Sequence, residues 1–135
     1  MSRGDVEIVR AIYDEWAEGR LTTYLHLFHP DVVYTRSSAQ EGDVLAGEWH
    51  GLDALTRAAV DWFETFESLR VEAERFTEVG DSVLVFTRHT GTAKESGLPT
   101  GGEFADVWTL RDGRVVRLDQ YRERTTALEA VGLRS

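Results

Sequence analysis

The sequence predicts an α+β domain in which helices come first and an antiparallel sheet follows. Apolar residues recur at helical spacing in the first half of the chain, whereas apolar and polar residues alternate with a period of two from Leu69 onward. Two tight-turn sequences, Gly80-Asp81 and Asp112-Gly113, separate the alternating runs as β-hairpin turns do. Helices followed by a strand meander are typical of a domain whose helices pack on one sheet face.

Two helices are predicted at the start of the chain. The first covers Asp5 to Glu18, because its apolar residues form one helical stripe and Asp5 is a suitable N-cap. Gly19 interrupts this pattern. A second, short helix is predicted from Leu21 to Phe28, ending before Pro30 because a residue that precedes proline is disfavoured in helical geometry.

A strand and a third helix follow. The β-branched run Asp31 to Thr35 predicts a strand, and the polar, Gly-rich residues 36–51 predict a loop. Gly51 then opens a helix with a continuous apolar side. That side carries Leu55, Ala58, Ala59, Trp62, Phe63 and Phe66.

Four antiparallel strands make up the second half. They are predicted over Leu69 to Val79, Ser82 to Thr92, Glu103 to Leu110 and Arg114 to Arg122. The segment from Gly91 to Gly102, with four glycines and Pro99, predicts a longer hairpin connection, and residues 125–133 predict a last helical turn.

Composition limits the class of protein. The 135 residues carry 24 acidic and 15 basic side chains, a net charge of −9, which disfavours nucleic-acid or anionic-membrane partners. The absence of cysteine excludes disulfides and thiol chemistry. No apolar run approaches the roughly 20 residues of a membrane span, and residues 1–9 lack a signal-peptide core. We therefore expect one soluble, cytoplasmic domain over residues 1–135.

Asp106 is an unexpected residue for its position. It lies between Phe104 and Trp108 in strand alternation, so its carboxyl group should point where those rings point, into the core. Burial there would raise its pKa and let the protonated acid donate a hydrogen bond to a ligand oxygen. The alternative is a structural carboxylate that is paired with a neighbouring arginine or histidine.

Three stretches of the chain carry a family resemblance. The first stretch, which is similar to an opening helix pair and a Pro-Asp strand start, is RAIYDEWAEGRLTTYLHLFHPDVV. The second, which is similar to a His-Gly start of the third helix, is WHGLDAL. The third, which is similar to an Asp-bearing strand and hairpin, is ADVWTLRDGRVVRL. Together they resemble the nuclear transport factor two-like superfamily, which includes SnoaL-like cyclases and ketosteroid isomerases. The resemblance covers nearly the whole chain. It implies a cone-shaped α+β barrel, with three N-terminal helices packed on a strongly curved, mainly antiparallel sheet and one apolar pocket at its wide end.

The resemblance to ketosteroid isomerases extends to individual positions. Tyr13 falls where those enzymes place the tyrosine of their oxyanion hole, and Asp106 falls where they place the protonated aspartic acid of that hole. In those enzymes the apolar site keeps the carboxylic acid neutral. The general-base position holds Arg36, which cannot take up a proton near neutral pH. The resemblance therefore implies the electrophilic half of the site without steroid isomerase activity. A tyrosine on such a helical stripe is otherwise an ordinary core residue.

Arg88 and His89 are adjacent in a strand, so one of them must face the interior. His89 shares a face with Val83 and Val85, and Arg88 shares one with Leu84 and Phe86; both faces are apolar, and the pattern does not choose. An inward His89 would be a general base working with Asp106. An inward Arg88 would ionise Asp106 and form an ion pair.

Further side chains are candidates for contact with a substrate. On the last strand Val116, Leu118, Gln120 and Arg122 share a face that is apolar at its start and polar at its end, as in a strand running from core to pocket mouth. The alternative is a solvated strand end. Asp119 and Tyr121 would lie on the outer face, where a second subunit is expected to form a homodimer. The full candidate set is Trp16, Arg36, Trp62, Phe104, Trp108, Gln120 and Arg122.

No cofactor is expected. His26 and His29 are close enough to share a metal ion, but no third ligand is evident, and His50 is better explained by capping or loop fixation at the helix entry. The chain has no Gly-rich phosphate loop and no G-x-S-x-G nucleophile elbow. The expected function is a cofactor-independent isomerase, dehydratase, cyclase or hydrolase for a small hydrophobic molecule that bears a carbonyl or hydroxyl group. The alternative is a non-catalytic protein that binds such a molecule.

Overall fold

The computed structural model of the protein describes residues 2–20, 24–37 and 47–133. Three α-helices lie in these ranges: α1 (Ser2–Ala17), α2 (Leu52–Glu64) and α3 (Arg124–Ala130). Six strands form one sheet: β1 (Phe28–Ser37), β2 (Gly47–His50), β3 (Phe66–Val79), β4 (Ser82–Ala93), β5 (Pro99–Arg111) and β6 (Arg114–Tyr121). The predicted α+β class is confirmed. None of the described helices has the length and hydropathy needed to cross a membrane.

The sheet is mixed and open. Its strand order is β2-β1-β6-β5-β4-β3. All neighbours are antiparallel except β1 and β6, which run parallel. The expected cone-shaped barrel is therefore not closed, because β2 and β3 are edge strands among the described residues. Closure would require the four residues of β2 to pair along the fourteen residues of β3.

The helix order also differs from the prediction of three N-terminal helices. The expected helix from Leu21 to Phe28 is, in its described part, a single 3-10 turn at Leu25–Leu27, and residues 21–23 lie outside the described residues. Phe28 already belongs to β1, where it pairs with Val115 of β6, and this pairing draws the chain out of helical geometry. The third α-helix comes at the C-terminal end instead.

Two predicted loops contain strand residues. Residues 47–50 of the expected loop form β2, where Trp49 pairs with Tyr34 of β1 and stacks on its ring with centroids 5.2 Å apart. The expected connection from Gly91 to Gly102 shortens to residues 94–98, because β4 and β5 continue to pair along it. Gly101 has a φ of +145°, and a Cβ there would lie 2.1 Å from the backbone oxygen of His89, so only glycine fits this pairing.

The main core lies between one face of the sheet and the helices α1 and α2. A β-bulge decides which residues of β6 enter it: Thr109 pairs with Arg117, whereas Leu110 pairs with Val115. The extra residue in β6 turns Val115 into the core beside Leu118, and Val116 is left half-buried. The prediction that Val116 shares the interior face was therefore wrong.

Helix α3 covers part of the opposite sheet face. Its Ala127 and Leu128 form a second apolar cluster with Leu84, Ala105 and Val107 of the sheet. This is the outer face on which a second subunit was expected, and the homodimer remains a prediction.

Arg124 fixes the start of α3. Its guanidinium donates to the backbone oxygens of Thr87 (2.8 Å) and Phe104 (3.3 Å), and it forms ion pairs with Glu74 (2.6 Å) and Glu103 (3.0 Å). Because this side chain is mostly buried while Glu103 is exposed, the backbone bonds should contribute more than the ion pairs.

We expect Arg124→Met to lower the free energy of unfolding by about 1–2 kcal/mol, with hydrogen exchange accelerated first in α3. Urea denaturation and amide exchange measure the two effects. Arg70→Met is the matched control, since its ion pair with Glu72, at 3.9 Å, is exposed and should contribute within about 0.5 kcal/mol. Equal losses in both variants would contradict an anchoring role for Arg124.

Candidate active site

Asp106 lies inside the core at the middle of the sheet. Its strand neighbours are Val85 of β4 and Gln120 of β6, and its side chain is only 1% exposed. Strand alternation places it on the interior face with Trp108, as the sequence predicted. A carboxyl group in this position has lost nearly all contact with water.

Tyr13 of α1 holds Asp106, and Trp108 of β5 in turn holds Tyr13. The hydroxyl of Tyr13, which is also buried, donates a hydrogen bond to Asp106 Oδ2. Trp108 Nε1 in turn donates to the Tyr13 hydroxyl oxygen at 2.9 Å. The apolar stripe of α1 that contacts the core therefore delivers a phenol to the buried acid.

A second chain of hydrogen bonds reaches Asp106 from β1. Arg36 Nε donates to the Tyr34 hydroxyl at 2.6 Å, and that hydroxyl donates to Gln120 Oε1. The Gln120 side chain is itself a hydrogen-bonding partner of Asp106. Arg36 is held in place by Ala58, whose backbone oxygen accepts from Nη2 at 2.7 Å. Its guanidinium also lies 4.8 Å from the ring centroids of both Trp49 and Trp62.

The two ends of this network determine the direction of every hydrogen bond in it. An arginine guanidinium and an indole N–H can only donate. Tyr34 accepts from Arg36 and must donate onward, so the oxygen of Gln120 is occupied and its amide nitrogen is left to face Asp106. Tyr13 accepts from Trp108 and must likewise donate to Asp106. Both halves of the network therefore end in hydrogens that point at one carboxyl group.

This arrangement leaves one place for a proton on Asp106. Oδ2 accepts from Tyr13, whereas Oδ1 is buried and has no hydrogen-bond partner among the described residues. A protonated Asp106 can therefore carry its hydrogen on Oδ1. Tyr13 is engaged in holding the acid, so its own hydrogen is not available to a ligand, in contrast to the role that the family resemblance implied.

Burial and hydrogen bonding act in opposite directions on the acid. Loss of water raises the pKa of Asp106 to about 7, although the hydrogen bonds from Tyr13 and Gln120 act to lower it. The pKa of Tyr13 is raised well above its usual value, first by burial and then by the adjacent carboxyl. Asp106 is therefore the group in this network that changes protonation near neutral pH.

A cavity lies beside the network. Its walls are mostly apolar, and they come from α1, α2 and the interior sheet face. It is small, about 20 Å³, which is room for roughly one water molecule. The described lining residues are Trp16, Tyr24, Phe28, Tyr34, Leu55, Ala59, Trp62, Phe63, Val71, His89, Leu118 and Gln120. Asp106 and Tyr13 lie one layer behind this wall, and Gln120 connects them to it.

His89 is the interior member of the pair that the sequence left undecided. It is 5% exposed, whereas Arg88 points to the other face and pairs with Glu74 (3.1 Å) and Glu103 (3.2 Å). Burial lowers the pKa of His89 to about 4, so the ring is neutral and weakly basic. His89 lies four residues along β4 from Val85, the neighbour of Asp106, which corresponds to about 13 Å. The two side chains therefore cannot form a direct acid–base pair.

The other candidate residues are distributed unevenly. Trp16, Trp62 and Gln120 line the cavity, and Trp108 belongs to the core behind it. Phe104 packs on the His89 ring with centroids 4.3 Å apart. Arg122 is exposed just beyond the end of β6, where it lies 5.8 Å from the Phe104 ring.

Tyr34 was missed by the sequence reasoning, although it both lines the cavity and links Arg36 to Gln120. Its position two residues before Arg36 in a strand was the signal that could have identified it.

The remaining histidines, His26, His29 and His50, lie outside the described cavity wall. No group of three His, Cys, Asp or Glu side chains in the described ranges could hold a metal ion. His29 Nδ1 accepts from the backbone N–H of Asp31 at 3.0 Å. His50 contacts Glu48 at 2.6 Å, and no side chain caps the start of α2, so of the two roles predicted for His50 the cap is not formed.

Comparison with known proteins is informative about family and fold. The model of the SnoaL-like domain matches residues 9–118. Solved structures that resemble the chain include TerC co-crystallised with polyporic acid, with 23% identity, a TM-score of 0.76 and coverage of 95% of this chain and 98% of that one. No curated protein matches the chain.

Two further structures have the same fold. One is a hypothetical protein with a ketosteroid isomerase-like fold from Catenulispora acidiphila, in complex with trimethylamine, with 19% identity, a TM-score of 0.72 and coverage of 94% and 93% of the two chains. The other, from Jannaschia sp. and named provisionally as a SnoaL-like polyketide cyclase, has 24% identity, a TM-score of 0.73 and coverage of 96% and 92%. The superfamily resemblance seen in the sequence is thus confirmed.

Proposed function

We propose an acid–base function for this chain, which belongs to the SnoaL-like domain family. In this proposal it is a cofactor-independent enzyme for a small, largely apolar molecule that carries a carbonyl or hydroxyl oxygen. Isomerisation, dehydration, cyclisation and hydrolysis are the reaction types that such a site can support. The proposal depends on Asp106, a buried acid with a pKa raised to about 7 at the end of a hydrogen-bond network that points only towards it.

Asp106 would act through Oδ1. A pKa near neutrality lets one group both give and take up a proton at the same pH, which is the condition for efficient acid–base catalysis. The donors on the other side of the carboxyl, Tyr13 and Gln120, keep it oriented and stabilise its charge after it has given up the proton.

A substrate would have to open the cavity. About 20 Å³ does not accommodate an organic molecule, so part of the wall must move outward. Trp62 and Phe63 are the candidates, since both are only half-buried and both lie in the last turn of α2. TerC, which shares the fold, was crystallised with polyporic acid, and this supports organic-molecule binding by such a scaffold.

A non-catalytic binding protein is the second candidate function. It is favoured because none of the described residues supplies a separate base next to Asp106, whose partners are Tyr13 and Gln120. His89 is too distant and too weakly basic, and Arg36 cannot accept a proton. The two functions differ in whether a bound carbonyl compound exchanges protons.

Proton exchange at an activated C–H bond tests the acid–base function without knowledge of the natural substrate. We expect the protein to accelerate exchange of the α-hydrogens of 2-tetralone in D2O, as followed by 1H NMR. We expect Asp106→Asn to abolish the acceleration, because an amide neither releases nor takes up a proton near neutral pH.

Asp119→Asn is the matched control for this experiment. Asp119 binds Thr35 and Arg117 away from the cavity, so this variant should retain the exchange rate. Binding of the ketone without accelerated exchange would identify a binding protein. Exchange that persists in Asp106→Asn would refute the role of the acid.

A further inference from the structure

His89 is a buried polar side chain without a partner. Both ring nitrogens are shielded from solvent, and neither has a hydrogen bond to any residue that the structure describes. Four other polar side chains of the described cavity wall are hydrogen-bonded in pairs: Trp16 Nε1 donates to the Tyr24 hydroxyl (2.5 Å), and the Tyr34 hydroxyl donates to Gln120. An unsatisfied buried polar group costs about 1–3 kcal/mol, so its presence in a cavity wall requires an explanation.

The described surroundings of His89 pack against the ring without forming a hydrogen bond to either nitrogen. Phe104 packs on it at 4.3 Å between centroids, and Trp62 approaches edge-on at 6.1 Å. Its neighbour across the sheet on β5 is Gly102, which has no side chain, and its neighbour on β3 is Val71. Neither cross-strand neighbour can therefore donate to or accept from the imidazole, and the cavity that His89 lines is the direction from which a ligand can come.

The chemistry of that partner follows from the charge of the ring. The described lining residues include no carboxylate and no permanent cation. A neutral imidazole offers one N–H donor and one nitrogen acceptor. A hydroxyl group can satisfy either of them, since it both donates and accepts, and it brings no charge into an apolar wall.

We propose that His89 binds a hydroxyl group of the ligand, at the opposite end of the cavity from Gln120, so that the ligand is a rigid apolar molecule with oxygen atoms at two ends. This inference rests on the proposed function only in taking the cavity as the binding site for a small oxygenated molecule. Gln120 and His89 lie on the two strands that flank β5, four residues apart in register, so their Cα atoms are roughly 16 Å apart. Two side chains that reach inward from that separation leave a span of one or two fused or linked rings.

Pairs of rigid ligands that differ by one hydroxyl group test the proposal. The probes are phenol and hydroquinone, 2-naphthol and 2,6-dihydroxynaphthalene, and 4-phenylphenol and 4,4′-dihydroxybiphenyl, titrated by calorimetry. We expect one diol of matching length to bind about tenfold more tightly than its mono-alcohol, the effect of satisfying one buried polar group. We expect His89→Phe, which keeps an aromatic ring, to abolish that gain while the mono-alcohol binds as before.

His26→Phe is the matched control, because His26 is exposed and outside the cavity lining, and it should keep the full gain. A measurement on the unaltered protein tests the proposal even if the variant fails to fold. The diol should shift the 15N NMR resonances of one histidine ring, that of His89. A diol gain that is absent, or that persists in His89→Phe, overturns the inference. Failure of ketone exchange with an intact diol gain would overturn only the catalytic proposal.

Discussion

Replacing Trp108 with alanine is expected to lower the free energy of unfolding by about 3–5 kcal/mol. Trp108 is fully buried and is the largest such side chain in the described residues. Its ring packs against Tyr13, Trp16 and Phe28, with centroids 5.6, 5.8 and 6.1 Å away. Its N–H is also one of the two donors that set the direction of the network around Asp106, so alanine removes both packing and a buried hydrogen bond.

Urea denaturation followed by far-UV circular dichroism measures this loss. Leu98→Ala is the control, because Leu98 is 63% exposed and its truncation should change stability by no more than about 0.5 kcal/mol. Trp108→Phe separates the two contributions, since it keeps most of the ring but removes the N–H. A loss below about 1 kcal/mol for the alanine variant would show that the packing around Trp108 is not as described.

The two buried titratable groups are expected to give opposite dependences of stability on pH. The pKa of Asp106 rises from 3.8 to about 7 on folding, so between these values the folded chain holds a proton that the unfolded chain has released. The contribution of Asp106 to the free energy of unfolding therefore falls as pH rises from 4 to 7, by on the order of 4 kcal/mol in total.

His89 acts in the reverse sense. Its pKa falls from 6.5 to about 4 on folding, so between these values the unfolded chain holds the extra proton. The contribution of His89 to the free energy of unfolding therefore rises between pH 4 and 6.5, by on the order of 3 kcal/mol. The two contributions nearly cancel in the wild-type protein, which should show little change from this pair over that range.

Single variants should expose each contribution. Asp106→Asn leaves His89 and should become more stable as pH rises from 4 to 6.5, whereas His89→Phe leaves Asp106 and should become less stable over the same range. Chemical denaturation at half-unit intervals of pH gives both slopes, with the wild-type curve as reference for the contribution of surface groups such as Glu74. Slopes of the same sign in the two variants would contradict the burial of one of these groups.

The fold and the position of the buried acid were accessible from the sequence because both depend on local periodicity. Alternation over β5 was enough to direct Asp106 inward. Alternation did not decide whether Arg88 or His89 faces the interior, because both faces of β4 are apolar. The structure supplies the reason: Leu84 and Phe86 pack with α3, a helix that the sequence indicated only as a last turn.

Other features depend on pairing between distant residues. The link from Arg36 through Tyr34 to Gln120 requires β1 to lie beside β6, and no local pattern predicts which strands become neighbours. The bulge at Val116 likewise follows from the register of β6 against β5. β2 was missed because four residues are too few to establish alternation.

The parallel pairing of β1 with β6 has a consequence for how the molecule is assembled. Tyr34 and Gln120 are separated by 86 positions, and β1 is flanked on its other side only by the short β2. The β3–β4–β5–β6 meander can form through hairpins, but β1 gains its long neighbour only after nearly the whole chain has been synthesised. Such distant pairing slows folding. The ordering of the pocket is thus tied to the last step of chain collapse, and newly made chains should expose the Phe28–Ser37 strand until that step is complete.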